Sequence, residues 1–270
     1  MPELPEVETS RRGIAPWIVG QVVERVIVRD RRLRWPVPGD FERNLAGQPV
    51  RVLTRRAKYL LFGTDAGTVL LHLGMSGSVR IIDPDEPPGK HDHFDFAMSN
   101  GKSLRFRDPR RFGSLLWIGQ GETHPLLASL GPEPLDEGFN GDYLWRRARG
   151  RRVSIKQFLM NGQVVVGVGN IYASEALFVA GIHPARQAQR VSAKRMELLA
   201  QSVKDVLQRA IDAGGTTLRD FYGGTGEPGY FRQQLGVYGR DGRPCRRCKK
   251  PVRAIVQGQR STFYCVNCQR

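Results

Sequence analysis

The 270-residue chain is short of acid, of cysteine and of long apolar runs. Asp and Glu number 26 against 42 Lys and Arg, which leaves a net charge of +16. Such an excess points to a polyanion as partner, most simply nucleic acid; a basic protein kept soluble by its charge is the plainer alternative. No apolar stretch approaches the ~20 residues that a membrane span needs, and no signal peptide precedes the acidic start. The expectation is a cytoplasmic protein with no membrane partner. Internal repeats and low-complexity tracts are also missing. Cysteine occurs four times, all near the end, as CRRC (Cys245, Cys248) and CVNC (Cys265, Cys268). The pairs stand sixteen residues apart (249–264), which is the spacing of a four-thiolate zinc site. A reducing compartment and two CxxC pairs argue against two disulfides. With four protein ligands the one Zn2+ has no open position for catalysis, so its role is structural.

What is present divides the chain by pattern. From about Gly20 to Ile118 the segments QVVERVIV, TVLLHLGMSGSVRII and HFDFAMS-NG-KSLRFR are β-branched or alternating. Asn100-Gly101 predicts a two-residue hairpin turn. A sandwich or barrel is expected, with a short helix from about Pro5 packed on it. The glycine- and proline-rich stretch after Gly119 has no sustained period and reads as a linker. Beyond it, IKQFLMNGQVVVGVGNIYASEALFVAGIHP predicts a helix, a glycine-rich turn and a second helix stopped by Gly181 and Pro184. In SAKRMELLAQSVKDVLQRAIDAGG, Ser192 can cap a helix whose apolar stripe is Leu199, Val203, Val206, Leu207 and Ala210, and Gly214-Gly215 ends it.

Several stretches could carry chemistry. At the start, MPELPEVET admits two readings. Pro5, Glu6 and Glu8 suit the first turn of a helix. Equally, proline is small enough to let the initiator methionine be removed, which would leave Pro2 as a free secondary amine beside Glu3 with Glu6 one turn away. In VGVGNIYASE, two glycines and an asparagine before a helix make either a tight turn or a phosphate site. DPRRFG (Asp108 to Gly113) and HLGMSG (His72 to Gly77) put an Arg, a Phe and a Met on bends. Phe112 and Met75 could each be core, or together with Arg110 they could wedge open a base step. Arg260 falls near the tip of a zinc-pinned hairpin, where it could reach a phosphate backbone.

PELPEVE, RRAKYL, HLGMSG, SNGK, DPRRFG, VGVGNIYASE, GGTTL, PGYF, VYGR and the CxxC pairs, in this order, resemble the bacterial formamidopyrimidine-DNA glycosylases over essentially the whole chain. The resemblance implies an α+β multidomain protein in four parts. These are an amino-terminal catalytic β-sandwich with flanking helices (residues 1–120), a linker (121–141), a helical helix–two-turn–helix DNA-binding domain (142–237) and a zinc β-hairpin (238–270), with DNA held in the cleft between them. It further implies a monomer that acts on double-stranded DNA containing an oxidised base or an abasic site. Oxidised purines, 8-oxoguanine and formamidopyrimidines, are removed through a Schiff base on the amino-terminal proline, and the strand is then cut by β,δ-elimination.

By the same resemblance Pro2 is the nucleophile, Glu3 the general acid/base and Glu6 its positioning partner. Met75, Arg110 and Phe112 fill the gap left by the extruded nucleotide, with Arg110 facing the orphaned cytosine. Lys58, Asn170 and Arg260 hold phosphates, and His72, His91 and Tyr238 contact the DNA. Thr216, Thr217, Arg219 and Tyr230 fall in the lesion-recognition loop, whose YGGTGE centre is not a fixed family motif and whose Arg219 stands where relatives often have lysine. Elementary chemistry ranks the two amines independently. An α-amine with pKa near 8 is about a tenth neutral at pH 7, an ordinary lysine near 10.4 about once in a few thousand molecules. Two other functions share many of these features: an endonuclease VIII-like glycosylase for oxidised pyrimidines, and a zinc protein that binds damaged DNA without catalysis.

Overall fold

Alternating apolar residues in the first half of the chain fold into two antiparallel sheets. The computed structural model describes residues 2–216 and 231–270. The chain divides into two units, Met1–Ala128 with Ala213–Arg232 and Ser129–Asp212 with Gln233–Arg270. The first unit runs through α1 (Leu4–Ile18), β1 (Val23–Val28), α2 (Phe41–Leu45), β2 (Val52–Arg56), β3 (Tyr59–Gly63), β4 (Gly67–His72), β5 (Ser78–Ile82), β6 (Asp92–Met98), β7 (Ser103–Arg107), β8 (Ser114–Gly119) and the single turn α3 (Pro125–Ala128). Its four-stranded sheets have the orders β1-β6-β7-β5 and β2-β3-β4-β8.

Strand β6 shows why the sequence folds this way. Phe94, Phe96 and Met98 lie two residues apart and enter one core with Phe62 and Leu71 of the other sheet and Ile14 of α1. The Phe94 ring stacks on Phe96 at 5.0 Å and on Phe106 at 4.9 Å. Burial of each such ring stabilises the sandwich by about 1.5–3 kcal/mol. Between them Asp95 points the other way and accepts two hydrogen bonds from Arg105, at 2.9 and 2.8 Å.

One local expectation changes. The Asn100-Gly101 hairpin has a three-residue loop, because Met98 N–H pairs with Lys102 O and Gly101 N–H with Met98 O, and Gly101 takes a φ of 74°. A turn followed by one left-handed residue matches strand twist as well as the two-residue form does. TVLLHLGMSGSVRII breaks at Leu73–Gly77, within the expected HLGMSG bend, and β4 and β5 belong to different sheets.

The second unit contains α4 (Gly141–Ala148), α5 (Ile155–Leu159), α6 (Asn170–Val179), α7 (Ala193–Asp212), β9 (Val252–Gln257) and β10 (Arg260–Cys265). Asn140 caps α4 by accepting from Tyr143 N at 2.9 Å. Helix α7 starts directly after Ser192, buries the whole expected stripe from Leu199 to Ala210, and stops before Gly214 and Gly215, both at positive φ. At Gly141 a Cβ would lie 2.3 Å from the Cα of Glu197, so α4 and α7 touch through their backbones. Phe178 of α6 and Val237 pack with Cys245, Val252 and Cys265, which fuses the hairpin to the helices. The protein is therefore α+β, with sheets, helices and a four-cysteine hairpin. Among the described residues no helix is long and apolar enough to cross a membrane.

Candidate functional site

The head of α1 is built by carboxylates. Glu3 precedes the first helical residue, and its backbone N–H donates to Glu6 Oε2 at 2.9 Å. The other oxygen, Oε1, accepts from Thr216 N at 2.8 Å and Thr216 Oγ1 at 2.7 Å. Both glutamates and Pro2 are buried. Glu6 thus ties the amino terminus to the first residue of the segment expected to recognise the lesion. Thr217, Arg219 and Tyr230 lie outside the described residues. One turn further along α1, Glu8 accepts from Arg11, Arg12 and Arg55. Burial pushes its carboxyl upward, but hydrogen bonds from Arg11 and Arg12 outweigh that and hold it below the usual range. Arg55 also donates to Ala57 O at 2.9 Å, linking the helix to the turn that bears Lys58.

Strand register gathers the next group. Ala57 and Lys58 form the two-residue turn between β2 and β3, and Ala57 holds a φ of 55° that is uncommon without glycine. Tyr59 pairs with His72 and His72 with Ser114, so the Lys58 turn, the HLGMSG bend and the end of DPRRFG meet at one end of the sheet. His72 Nδ1 accepts from Gly74 N at 2.9 Å, which leaves Nε2 to carry the proton and donate. Burial, then Lys58, then Arg34 push its pKa down to about 4, so the ring is neutral at physiological pH. Arg34 is exposed and its N–H donates to Gly113 O.

Met75 is 38% exposed and Phe112 42%. Neither is core. The exposed Arg110 places its guanidinium 4.9 Å from the Phe112 ring centroid. His91 stands at the edge of this loop, where its carbonyl accepts from Asp108 N.

In the second unit Asn170 is the first residue of α6. Its Oδ1 accepts from Lys156 Nζ at 2.5 Å, and its Nδ2 donates to Ser261 O at 3.0 Å. Lys156 is buried and also donates to Thr262 Oγ1 at 2.7 Å. These bonds clamp β10 to α6 directly beside the exposed Arg260. That residue begins β10 after the tip Gly258-Gln259, whose two positive φ values suit a two-residue hairpin. Glu175, at the far side of α6, accepts three backbone N–H groups, from Gly236, Val237 and Tyr238. The Tyr238 ring stands edge-on to Phe263 at 5.0 Å.

The four cysteine sulfurs lie within 4.8 Å of one another. Zn–S bonds of ~2.3 Å in a tetrahedron require sulfurs about 3.8 Å apart. Cys245 to Cys268 is 4.0 Å and Cys248 to Cys265 is 3.4 Å, so the donor set fits one zinc ion. Its chemistry there is structural: it closes a hairpin that contributes only Cys245, Val252 and Cys265 to the buried cluster it shares with Phe178 and Val237.

Three family models match the chain in succession: the formamidopyrimidine-DNA glycosylase N-terminal domain over residues 1–115, the formamidopyrimidine-DNA glycosylase H2TH domain over 130–222, and the zinc finger found in FPG and IleRS over 242–270. The formamidopyrimidine-DNA glycosylase of Stutzerimonas stutzeri is 56% identical over 270 residues, covering 100% of both chains. The chain belongs to the formamidopyrimidine-DNA glycosylase family. Solved glycosylase structures of this family agree in fold. Wild-type Lactococcus lactis Fpg in complex with DNA containing N7-benzyl-Fapy-dG superposes with a TM-score of 0.91 at 33% identity over 100% of both chains. The complex of Lactococcus lactis Fpg with DNA containing an abasic site gives 0.91 at 33% identity over 99% of each.

Within this glycosylase scaffold the sequence reading overlooked Lys156, Glu175 and Arg34 as site residues. A lysine inside the apolar run IKQFLM is a visible signal, because burial of an ammonium demands nearby acceptors. Glu175 and Arg34 carry no such mark, since their partners are backbone groups far along the chain.

Two measurements check this geometry. By NMR, His72 should titrate near 4, and Lys58→Met should raise that value. The unfolded ring takes a proton near 6.5, so the stability linked to neutral His72 is complete above that pH and is lost as pH falls toward 4. Metal analysis should find one zinc per chain. Chelation should then erase amide protection across β9 and β10 while amides of β6 and β7 stay protected, because ~10–16 kcal/mol of metal binding folds such a hairpin.

Proposed function

We propose that the protein is a bifunctional DNA repair glycosylase that excises oxidised purines from duplex DNA and then cuts the strand. The observation that carries this is the buried Glu6 carboxylate, which holds the Pro2-Glu3 head of α1 against Thr216. Removal of Met1 makes Pro2 a secondary amine there. The positive end of a helix disfavours a protonated amine, which adds to the advantage an α-amine already has over lysine. The nitrogen attacks C1′ and the C1′–base bond breaks, the base leaving with a proton. Opening of the sugar ring, aided by proton transfer from Glu3, gives an iminium that draws electrons from the adjoining C–H bonds. Successive β and δ eliminations then expel both phosphates as leaving groups, and water releases the enzyme.

The remaining residues serve binding. Lys58, neutral His72 through Nε2–H, His91, Asn170, Tyr238 and Arg260 contact the backbone, while Met75, Arg110 and Phe112 occupy the space of the extruded nucleotide. Lys156 holds Asn170 and the start of β10 in register. Thr216, Thr217, Arg219 and Tyr230 belong to the segment that reads the lesion. The protein acts as a monomer in the cytoplasm, held near the nucleoid through DNA. Its domains follow the divisions 1–120, 121–141, 142–237 and 238–270.

Pro2→Gly, which keeps an amine but makes it primary, should lose far more excision activity than DNA affinity. Glu3→Gln should stall single-turnover excision and leave lesion binding intact, since the amide keeps shape but moves no proton. Equal loss of binding and excision in both variants would reject the assignment. Faster excision of an oxidised pyrimidine than of 8-oxoguanine would favour the endonuclease VIII-like reading.

A further inference from the structure

Asp108 is a fully buried carboxylate, 0% exposed, and no described cation lies within ion-pair distance of it. Its charge is met by neutral donors alone. Oδ1 accepts from Ser76 Oγ at 2.7 Å and Arg110 N at 3.2 Å, and Oδ2 accepts from Gly113 N at 2.8 Å. Ser76 Oγ also accepts from Arg110 N, at 3.2 Å. The Asp108 carbonyl accepts from His93 Nε2 at 2.7 Å and from Arg111 N at 3.3 Å. These donors belong to two separate loops. Ser76 follows Met75 in the bend between β4 and β5, while Arg110 and Gly113 bracket Phe112 in the bend between β7 and β8. The loops also press together: a Cβ on Gly74, at φ +66°, would lie 2.4 Å from the carbonyl carbon of Phe112 and from Gly113 N.

A buried carboxylate without a cation is costly to fold, so hydrophobic packing would serve mere stability better. Charge-assisted bonds provide direction instead: they fix where each donor points. Here the fixed donors carry the three exposed side chains Met75, Arg110 and Phe112. We infer that Asp108 is a positioning residue for base extrusion, clasping the two loops through Ser76 and the Arg110 and Gly113 amides so that all three side chains enter the duplex as one rigid wedge. This rests on the glycosylase reading and on the wedge role of Phe112. Asp108 touches neither DNA nor the reacting atoms; it acts through the residues it holds.

The test compares single-turnover excision of 8-oxoguanine from duplex DNA with cleavage of a preformed abasic site, where no base is extruded. In Asp108→Asn the amide nitrogen cannot accept from Gly113. Lesion excision should fall about tenfold, the size expected for one lost charge-assisted hydrogen bond, while abasic-site cleavage stays within about twofold of wild type. Phe112→Ala should show the same split with an unchanged melting temperature. The double variant should be little slower than Phe112→Ala alone, because both changes disable one device. If Asp108→Asn does not fold, Ser76→Ala carries the test and should give a smaller split in the same direction. Equal loss on both substrates, or losses that multiply in the double variant, would overturn the clasp. If Phe112→Ala itself shows no split, the wedge reading fails; if Phe112→Ala shows it and Asp108→Asn does not, only the role of Asp108 fails.

Discussion

The chemistry proposed for the first unit depends on the Glu6 carboxylate. One oxygen holds Glu3 N–H and the other holds both donors of Thr216, so a single buried side chain sets the position of the chain's first residues. An amino terminus is ordinarily the least ordered part of a protein. An amine used as a nucleophile cannot be, because attack needs a near-fixed distance and angle to carbon. Helix α1 supplies the rigid support: its apolar face, including Val7, Ile14 and Ile18, is buried in the sandwich core, and Glu8 anchors it to Arg55.

The sheets do for the proposed DNA contacts what α1 does for the proposed amine nucleophile. A cross-strand row from Tyr59 through His72 to Ser114 brings three loops to one sheet end although they come from residues 57 to 113. Ala57 and Arg111, both non-glycine residues at positive φ, store backbone strain in two of these loops. The surrounding bonds sustain it: Arg55 holds Ala57 O, and Arg111 pairs with Asp30 at 2.6 Å. In the second unit the same logic recurs with different parts. Lys156 holds Asn170 and β10, Glu175 holds the Tyr238 turn, and zinc closes the hairpin that carries Arg260.

Much of this was legible in the sequence, and the reasons differ by element. The zinc ligands were legible because coordination geometry demands a fixed spacing. The α7 stripe and the β6 alternation were legible because helix and strand periods differ. Met75 and Phe112 were ambiguous because an apolar residue in a glycine-rich bend has no period to reveal which way it points; only their exposure in the fold excludes a place in the core. The hairpin at Asn100-Gly101 was placed correctly but given one residue too few, since both loop lengths accept glycine at positive φ. Asp108 and Glu175 were unreadable as positioners because their partners are backbone groups or side chains brought together by tertiary structure alone, and Lys156, although its apolar setting is visible, gives no sign of which acceptors it meets. Family likeness named the motifs containing Asp108 and Glu175 and said nothing of what they hold.

The central claim is that a processed amino-terminal proline, fixed by Glu6, is the nucleophile. The most direct measurement is borohydride trapping on a lesion duplex followed by peptide mapping of the adduct by tandem mass spectrometry, with intact mass taken on the same sample. The account predicts a chain lacking Met1 and a reduced DNA adduct on the nitrogen of Pro2. An adduct on Lys58, or trapping by chains that retain Met1, would contradict it.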